Sequence, residues 1–158
     1  KAIISVNATS QPGDKFLMSQ LKSKPQYMQD AFKTLIDSLR KGKTTDNVDP
    51  SLYYIASPAK QKFVMSYCRY VPVQTVKAVK VPLLIIQGST DVQISVTDAE
   101  KLKKAKSEAI LTDIPGMNHI MKEAPADTEQ NLATYSKPDL PLKPEFVTAV
   151  VNFVNRVN

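Results

Sequence analysis

The chain has 158 residues, 42% hydrophobic and 23% charged, which suits one globular domain of ordinary size and excludes a disordered chain. Its net charge of +6 comes from scattered lysines, with no basic stripe interleaved with aromatics, so nucleic acid is not an expected partner. No apolar run is long enough to span a bilayer. A lone cysteine (Cys68) and a lone histidine (His119) form neither an internal disulfide nor the three or four ligands of a metal site.

The first element is a short β-branched run without helical spacing, Ala2-Ile3-Ile4-Ser5-Val6, which predicts a strand. A strand on the first residues has no earlier element to pair with, so a segment before Lys1 is expected. Lys1 to Asn7 carries no apolar h-region and is no signal peptide. Because the first residue is not Met, the compartment stays open. Asn7 to Gly13 reads as loop, and Asp14 is the expected N-cap of a helix over 15–21. Pro25 suits the first turn of a second helix. There Tyr27, Met28, Ala31, Phe32, Leu35, Ile36 and Leu39 form one apolar stripe, and Gly42 stops it. After a polar loop over 43–50, residues 52–56 are ambiguous between helix and strand. Ser57-Pro58 opens a helix running to Tyr70, with Phe63, Val64, Tyr67 and Cys68 on one side. Cys68 reads as a small buried hydrophobe. A brief helical turn follows over 72–79.

The texture then changes. Val81-Pro82-Leu83-Leu84-Ile85-Ile86-Gln87-Gly88 is continuous and apolar, the pattern of a strand buried on both faces of a parallel sheet. Thr97 and Glu100 make a capping-box pattern that opens a helix to Lys104, and the lysines of 101–106 sit at its C-terminal end, where cations suit the helix dipole. A second strand is expected over 109–114. Residues 125–144 are polar and proline-rich. The last helix starts at Leu142-Lys143-Pro144-Glu145, with the stripe Phe146, Val147, Val150, Val151, Val154 and Val157. Strands alternating with helices predict parallel β–α crossovers.

Asp91 and His119 each fall just past the C-terminal end of one of two adjacent strands, the edge where reacting groups gather in open α/β sheets. Such a pair has a chemical use. A neutral imidazole takes a proton from a weak nucleophile and returns it to the leaving group, while a carboxylate on its other nitrogen fixes the tautomer. Asp113 and Glu123 are the other nearby acids, but the first lies inside a strand and the second follows the histidine.

These segments carry a resemblance. Pro82-Leu83-Leu84-Ile85-Ile86-Gln87-Gly88-Ser89-Thr90-Asp91-Val92-Gln93-Ile94 resembles the acid-bearing strand of the α/β-hydrolase family, and Ile114-Pro115-Gly116-Met117-Asn118-His119 resembles its histidine loop. The family order of acid before histidine is kept. The resemblance implies an α/β fold: the C-terminal part of the parallel sheet flanked by helices, with a helical cap insertion. Residues 1–12 would be a core strand and loop, 13–80 the cap and 81–158 the C-terminal part of the core. It implies that Asp91 orients His119 in a serine hydrolase of carboxylic esters. The substrate would be a small-molecule ester or related acyl compound, with neither a metal nor an organic cofactor. Asn7, Val92 and Met117, at strand ends, are expected to line the mouth of the site. The family's G-x-S-x-G elbow is absent, since none of Gly13, Gly42, Gly88 and Gly116 flanks a serine in that pattern, and Ser89 lies in the turn before Asp91. The nucleophile and oxyanion hole are therefore expected before Lys1, and the chain alone is expected to be inactive. The alternative is a catalytically silent module for binding or assembly. On either reading, an exposed strand edge would pair with the N-terminal half or with a second copy.

Overall fold

The computed structural model describes residues 1–157. The elements run β1 (Ile3–Val6), α1 (Gly13–Gln20), α2 (Gln26–Arg40), α3 (Tyr53–Ala56), α4 (Gln61–Tyr67), α5 (Pro72–Lys77), β2 (Leu83–Gly88), α6 (Val96–Ala105), β3 (Ile110–Ile114), α7 (Thr128–Ala133) and α8 (Pro144–Val157), with single 3-10 turns between some of them. They fall into two compact units. One comprises Lys1–Ser10 and the chain from Val73 onward, the other Gln11–Pro72.

The first unit is built on a parallel sheet in the order β1-β2-β3. Ile3 to Val6 pair with Leu83 to Ile86, and Leu84 to Gly88 pair with Ile110 to Ile114. All six residues of β2 are buried, as its unbroken apolar run predicts for the middle strand of a parallel sheet. Its side chains alternate between two cores. Leu83 and Ile85 pack with Ala99 and Leu102 of α6, and Leu84 and Ile86 pack with Ile114, Met117 and Phe153 of α8. Each such burial contributes roughly 2 kcal/mol, so this strand anchors both faces. The strand starts at Leu83 rather than Val81 because Pro82 has no N–H for the ladder. Its carbonyl still accepts from Ile3 N at 2.9 Å.

Two expectations change here. The residue before α6 is Ser95, so Thr97 lies inside the first turn and forms no capping box with Glu100. Ser95 instead donates its hydroxyl to Asp98 at 2.6 Å. The apolar surface of α8 is also wider than the face it buries. Phe146, Val150, Phe153 and Val157 pack on the sheet, whereas Val147, Val151 and Val154 stay exposed.

Asp98 ties the loop after β1 to α6. Its Oδ1 accepts from Ser10 N at 2.9 Å and from Ser10 Oγ at 2.6 Å. Burial pushes its carboxyl upward, but the bonds from Ser10 and Ser95 outweigh that and hold it below the ordinary 3.8. A carboxyl depressed by folding adds stability that is complete above its ordinary value and fades as pH falls through the lower folded value. Asp98→Ala should therefore cost about 1–3 kcal/mol near neutrality. Urea midpoints should show the gap between variant and wild type closing below about pH 3.8. A gap independent of pH would refute this account.

The second unit has its own core around α2. Met28, Phe32, Leu35, Ile36 and Leu39 of the predicted stripe are buried with Leu21, Val48, Leu52, Ala56 and Val64, while Tyr27 is exposed. Gly42, at φ +77, makes the left-handed turn that ends the helix, with Lys43 N bonded back to Ser38 O. Asp14 is not a cap: Pro12 precedes α1, and the Asp14 carboxylate pairs with Arg40 of α2. The helix expected from Ser57 to Tyr70 is shorter, a 3-10 turn followed by α4. Its predicted face is divided, for Val64 is buried but Phe63 is exposed and stacks on Tyr67 at 5.8 Å. Cys68 is half-buried on the core, and burial with the nearby Asp14 pushes its thiol up despite Arg40. Gln61, fully buried, closes the loop over 43–50 by accepting from Thr45 N and donating to Thr45 O. Among the described residues, no helix is long and apolar enough to cross a membrane.

Candidate active site

Strand β2 ends at Gly88, and the chain turns through Ser89 and Thr90 to Asp91. That turn is stitched to the loop after β3. Ser89 N donates to Ile114 O at 3.0 Å, Thr90 N to Met117 O at 3.1 Å, and Gly116 N to Ser89 Oγ at 2.9 Å. The Ser89 hydroxyl thus serves as a backbone brace. The two loops approach so closely that a side chain at position 88 would overlap the Met117 carbonyl, coming within 2.7 Å of its carbon. Only glycine fits.

Asp91 and His119 meet. His119 Nδ1 and Asp91 Oδ2 are 2.8 Å apart, with the carboxylate side chain fully buried and the histidine side chain 31% exposed. The other carboxylate oxygen, Oδ1, accepts from Gln93 N at 2.7 Å and Ile94 N at 3.0 Å. Each oxygen is therefore supplied with donors. The Gln87 amide braces the same turn, its Nε2 donating to Ile94 O at 3.1 Å. The geometry leaves Nε2 of His119 as the nitrogen that can exchange a proton with a reacting group. Neither alternative acid is the histidine's partner. Asp113 stands opposite Gln87 on β3, and Glu123 is exposed and pairs with Lys143 at 3.4 Å.

The histidine loop is held from within and from two neighbouring segments. Asn118, fully buried, accepts at Oδ1 from Ile120 N and Lys122 N and donates at Nδ2 to Thr134 Oγ1 at 2.8 Å. Asn131 of α7 donates to Thr90 O at 2.8 Å and to Pro125 O at 2.8 Å. The polar, proline-rich stretch thus packs behind the acid turn and contains a helix that composition alone conceals. Its start is marked by Asp127-Thr128-Glu129-Gln130, a capping-box spacing, and Asp127 does accept from Gln130 N at 2.9 Å.

The three residues expected at the mouth take different places. Val92 is exposed in the turn after Asp91. Met117 has no exposed surface and packs among Leu84, Ile86, Ile114 and Phe153, so its side chain belongs to the core. Asn7 is 5% exposed, and its amide is bonded to Gly88 N and to the carbonyls of Asn118 and His119. Among the described residues, no three His, Cys, Asp or Glu side chains gather as metal ligands would.

The sequence matches no protein-family model and shows no significant similarity to a curated protein. Solved structures are similar to it over most of its length. A candidate non-heme bromoperoxidase, BpoC, from Mycobacterium tuberculosis H37Rv is 16% identical, with a TM-score of 0.51 over 99% of this chain. A hydrolase from Pseudomonas aeruginosa PA01 is also 16% identical, with a TM-score of 0.45, covering 98% of this chain and 55% of its own. MGS-M2, an α/β-hydrolase enzyme from a Medee basin deep-sea metagenome library, is 14% identical, with a TM-score of 0.42, over 90% of this chain and 58% of its own. The fold is that of the C-terminal part of the α/β-hydrolases, and the chain spans 58% of the length of BpoC.

Proposed function

We propose that this chain supplies the acid and base of a serine hydrolase acting on carboxylic esters. The supporting observation is the 2.8 Å contact between His119 Nδ1 and Asp91 Oδ2 at the C-terminal edge of a parallel sheet. In this reading a serine from a segment of the parent protein before Lys1 attacks the acyl carbon. His119 Nε2 takes the serine proton as the new C–O bond forms, then gives it to the departing alcohol oxygen as the ester bond breaks. A water molecule next loses its proton to Nε2 and attacks the acyl carbon, and the proton returns to the serine as acid is released. Asp91 holds the ring with Nδ1 protonated throughout and stabilises the imidazolium that forms twice in the cycle. Hydrolysis of p-nitrophenyl acetate by the parent protein tests the reading. It should vanish in His119→Ala, and unchanged turnover in that variant would sink it.

An assembly role has its own support. Among the described residues β1 is hydrogen-bonded to a neighbouring strand on one side only, and Val147, Val151 and Val154 of α8 are 44%, 49% and 40% exposed. Open strand edges and apolar rows invite another chain. The proposed occupant is the N-terminal half of the parent protein, or a second copy when that half is lacking. Light scattering of the 158-residue chain should give a mass above 17.5 kDa, and a stable, well-folded monomer would count against this surface.

A further inference from the structure

We infer that Asn7 is a positioning residue for the candidate base, aiming the His119 ring through its backbone instead of touching substrate. The inference rests on the proposed roles of His119 and Asp91. Asn7 ends β1 at φ +47, a left-handed conformation that asparagine tolerates better than most residues. Its own N–H still reaches Ile86 O at 2.9 Å, so the residue remains tied to the sheet. From that fixed point its side chain makes three bonds. Oδ1 accepts from Gly88 N at 2.9 Å, and Nδ2 donates to Asn118 O at 3.1 Å and His119 O at 3.0 Å.

The two acceptors are the carbonyls on either side of the His119 Cα. One amide therefore anchors both peptide groups that flank the base, and these set the direction in which its side chain leaves the backbone. The third bond ties the same amide to Gly88, at the end of the strand that delivers Asp91. Acid strand, base loop and β1 converge on a single side chain. With both amide hydrogens and the oxygen committed, and the residue buried, little of Asn7 is left for a ligand.

No other common side chain fits this role. Leucine has the shape but no polar atoms, glutamine adds a methylene to a packed site, and aspartate keeps the acceptor but loses both donors. Asn7→Asp is therefore the informative variant. It keeps the acceptor for Gly88 N, suits the left-handed backbone, and replaces the grip on the two carbonyls with a carboxylate oxygen that repels them.

His119 is the single histidine of the chain, so its ring nitrogens can be read without overlap in the ¹⁵N-labelled protein. Wild type should show one tautomer, protonated at Nδ1, with a downfield ring proton protected by Asp91. Asn7→Asp should lose that proton signal and show mixed tautomers. If Asn7→Asp does not fold, Asn7→Gly accommodates the same φ, introduces no charge and should give the same reading. In the parent protein, kcat for p-nitrophenyl acetate should fall on the order of 100-fold, the scale of a misplacement of about 1 Å, with KM nearly constant. An unchanged ring signature in the variant that folds would overturn the inference. So would a raised KM with unchanged kcat, which would mean a substrate contact. The ring signature still judges Asn7 if His119→Ala retains turnover and the proposed hydrolase activity fails.

Discussion

Asp91→Asn is expected to lower kcat/KM of the parent protein for p-nitrophenyl acetate on the order of 10,000-fold while leaving the fold intact. The reason lies in how the two carboxylate oxygens are used. Oδ1 faces two backbone donors, Gln93 N and Ile94 N, and these will hold the remaining oxygen of an asparagine. The new NH2 group must then face His119 Nδ1, now 2.8 Å from Oδ2. A donor there reverses the ring tautomer, placing the proton on Nε2, where it can no longer accept one from a serine. His119→Ala removes the proton carrier altogether and should cost more, on the order of a million-fold. An Asp91→Asn enzyme within tenfold of wild type would take Asp91 out of the proposed mechanism.

Gly88→Ala should be the most damaging single methyl group in the first unit. The added carbon would overlap the Met117 carbonyl oxygen, and both partners are backbone, so no flexible side chain can swing aside. The conflict falls between two segments already stitched by Thr90 N to Met117 O, and Gly88 N is itself bonded to Asn7. A loss of about 3 kcal/mol is expected, at the upper end of overpacking penalties, measured as a lowered denaturant midpoint. Any Gly88→Ala protein that folds should have its histidine loop displaced and the His119 ring signature altered. A destabilisation below about 0.5 kcal/mol would show that the loop moves freely, contrary to the close contact described here.

The parts legible in the sequence are those written in local pattern. The run from Leu83 to Gly88 announces a strand buried on both faces, and the spacing of Asp91 and His119 past two strand ends brings them to one edge. Local pattern fails where neighbours compete. Ser95 and Thr97 are both able to cap, and the pairing with Asp98 decides for Ser95. On α8 every third or fourth position from 146 to 157 is apolar, so periodicity alone does not separate the buried row of Phe153 from the exposed row of Val151. Met117 looks like a mouth residue only when loops are treated as surface. In fact the tight turn at Gly116 directs it under the loop. Asn7 is the hardest case, because its role depends on partners 81, 111 and 112 positions away and on a backbone conformation that no pattern records.

The parallel pairing of β1 has a consequence for the order in which the sheet is built. Gly88 and Asn7 are 81 positions apart, whereas Ser89 and Gly116, which join the acid turn to the histidine loop, are 27 apart. Closing the longer loop costs about 1 kcal/mol more in chain entropy. On a ribosome, β1 emerges before β2, and its pairing with that strand waits until residues 83–86 have been made. The acid and base strands can pair through a local β–α–β crossover, and the strand carrying Asn7 joins them across the longer intervening chain. Of these three strands the one made first is thus the last to join, and it brings the clamp on the histidine loop with it.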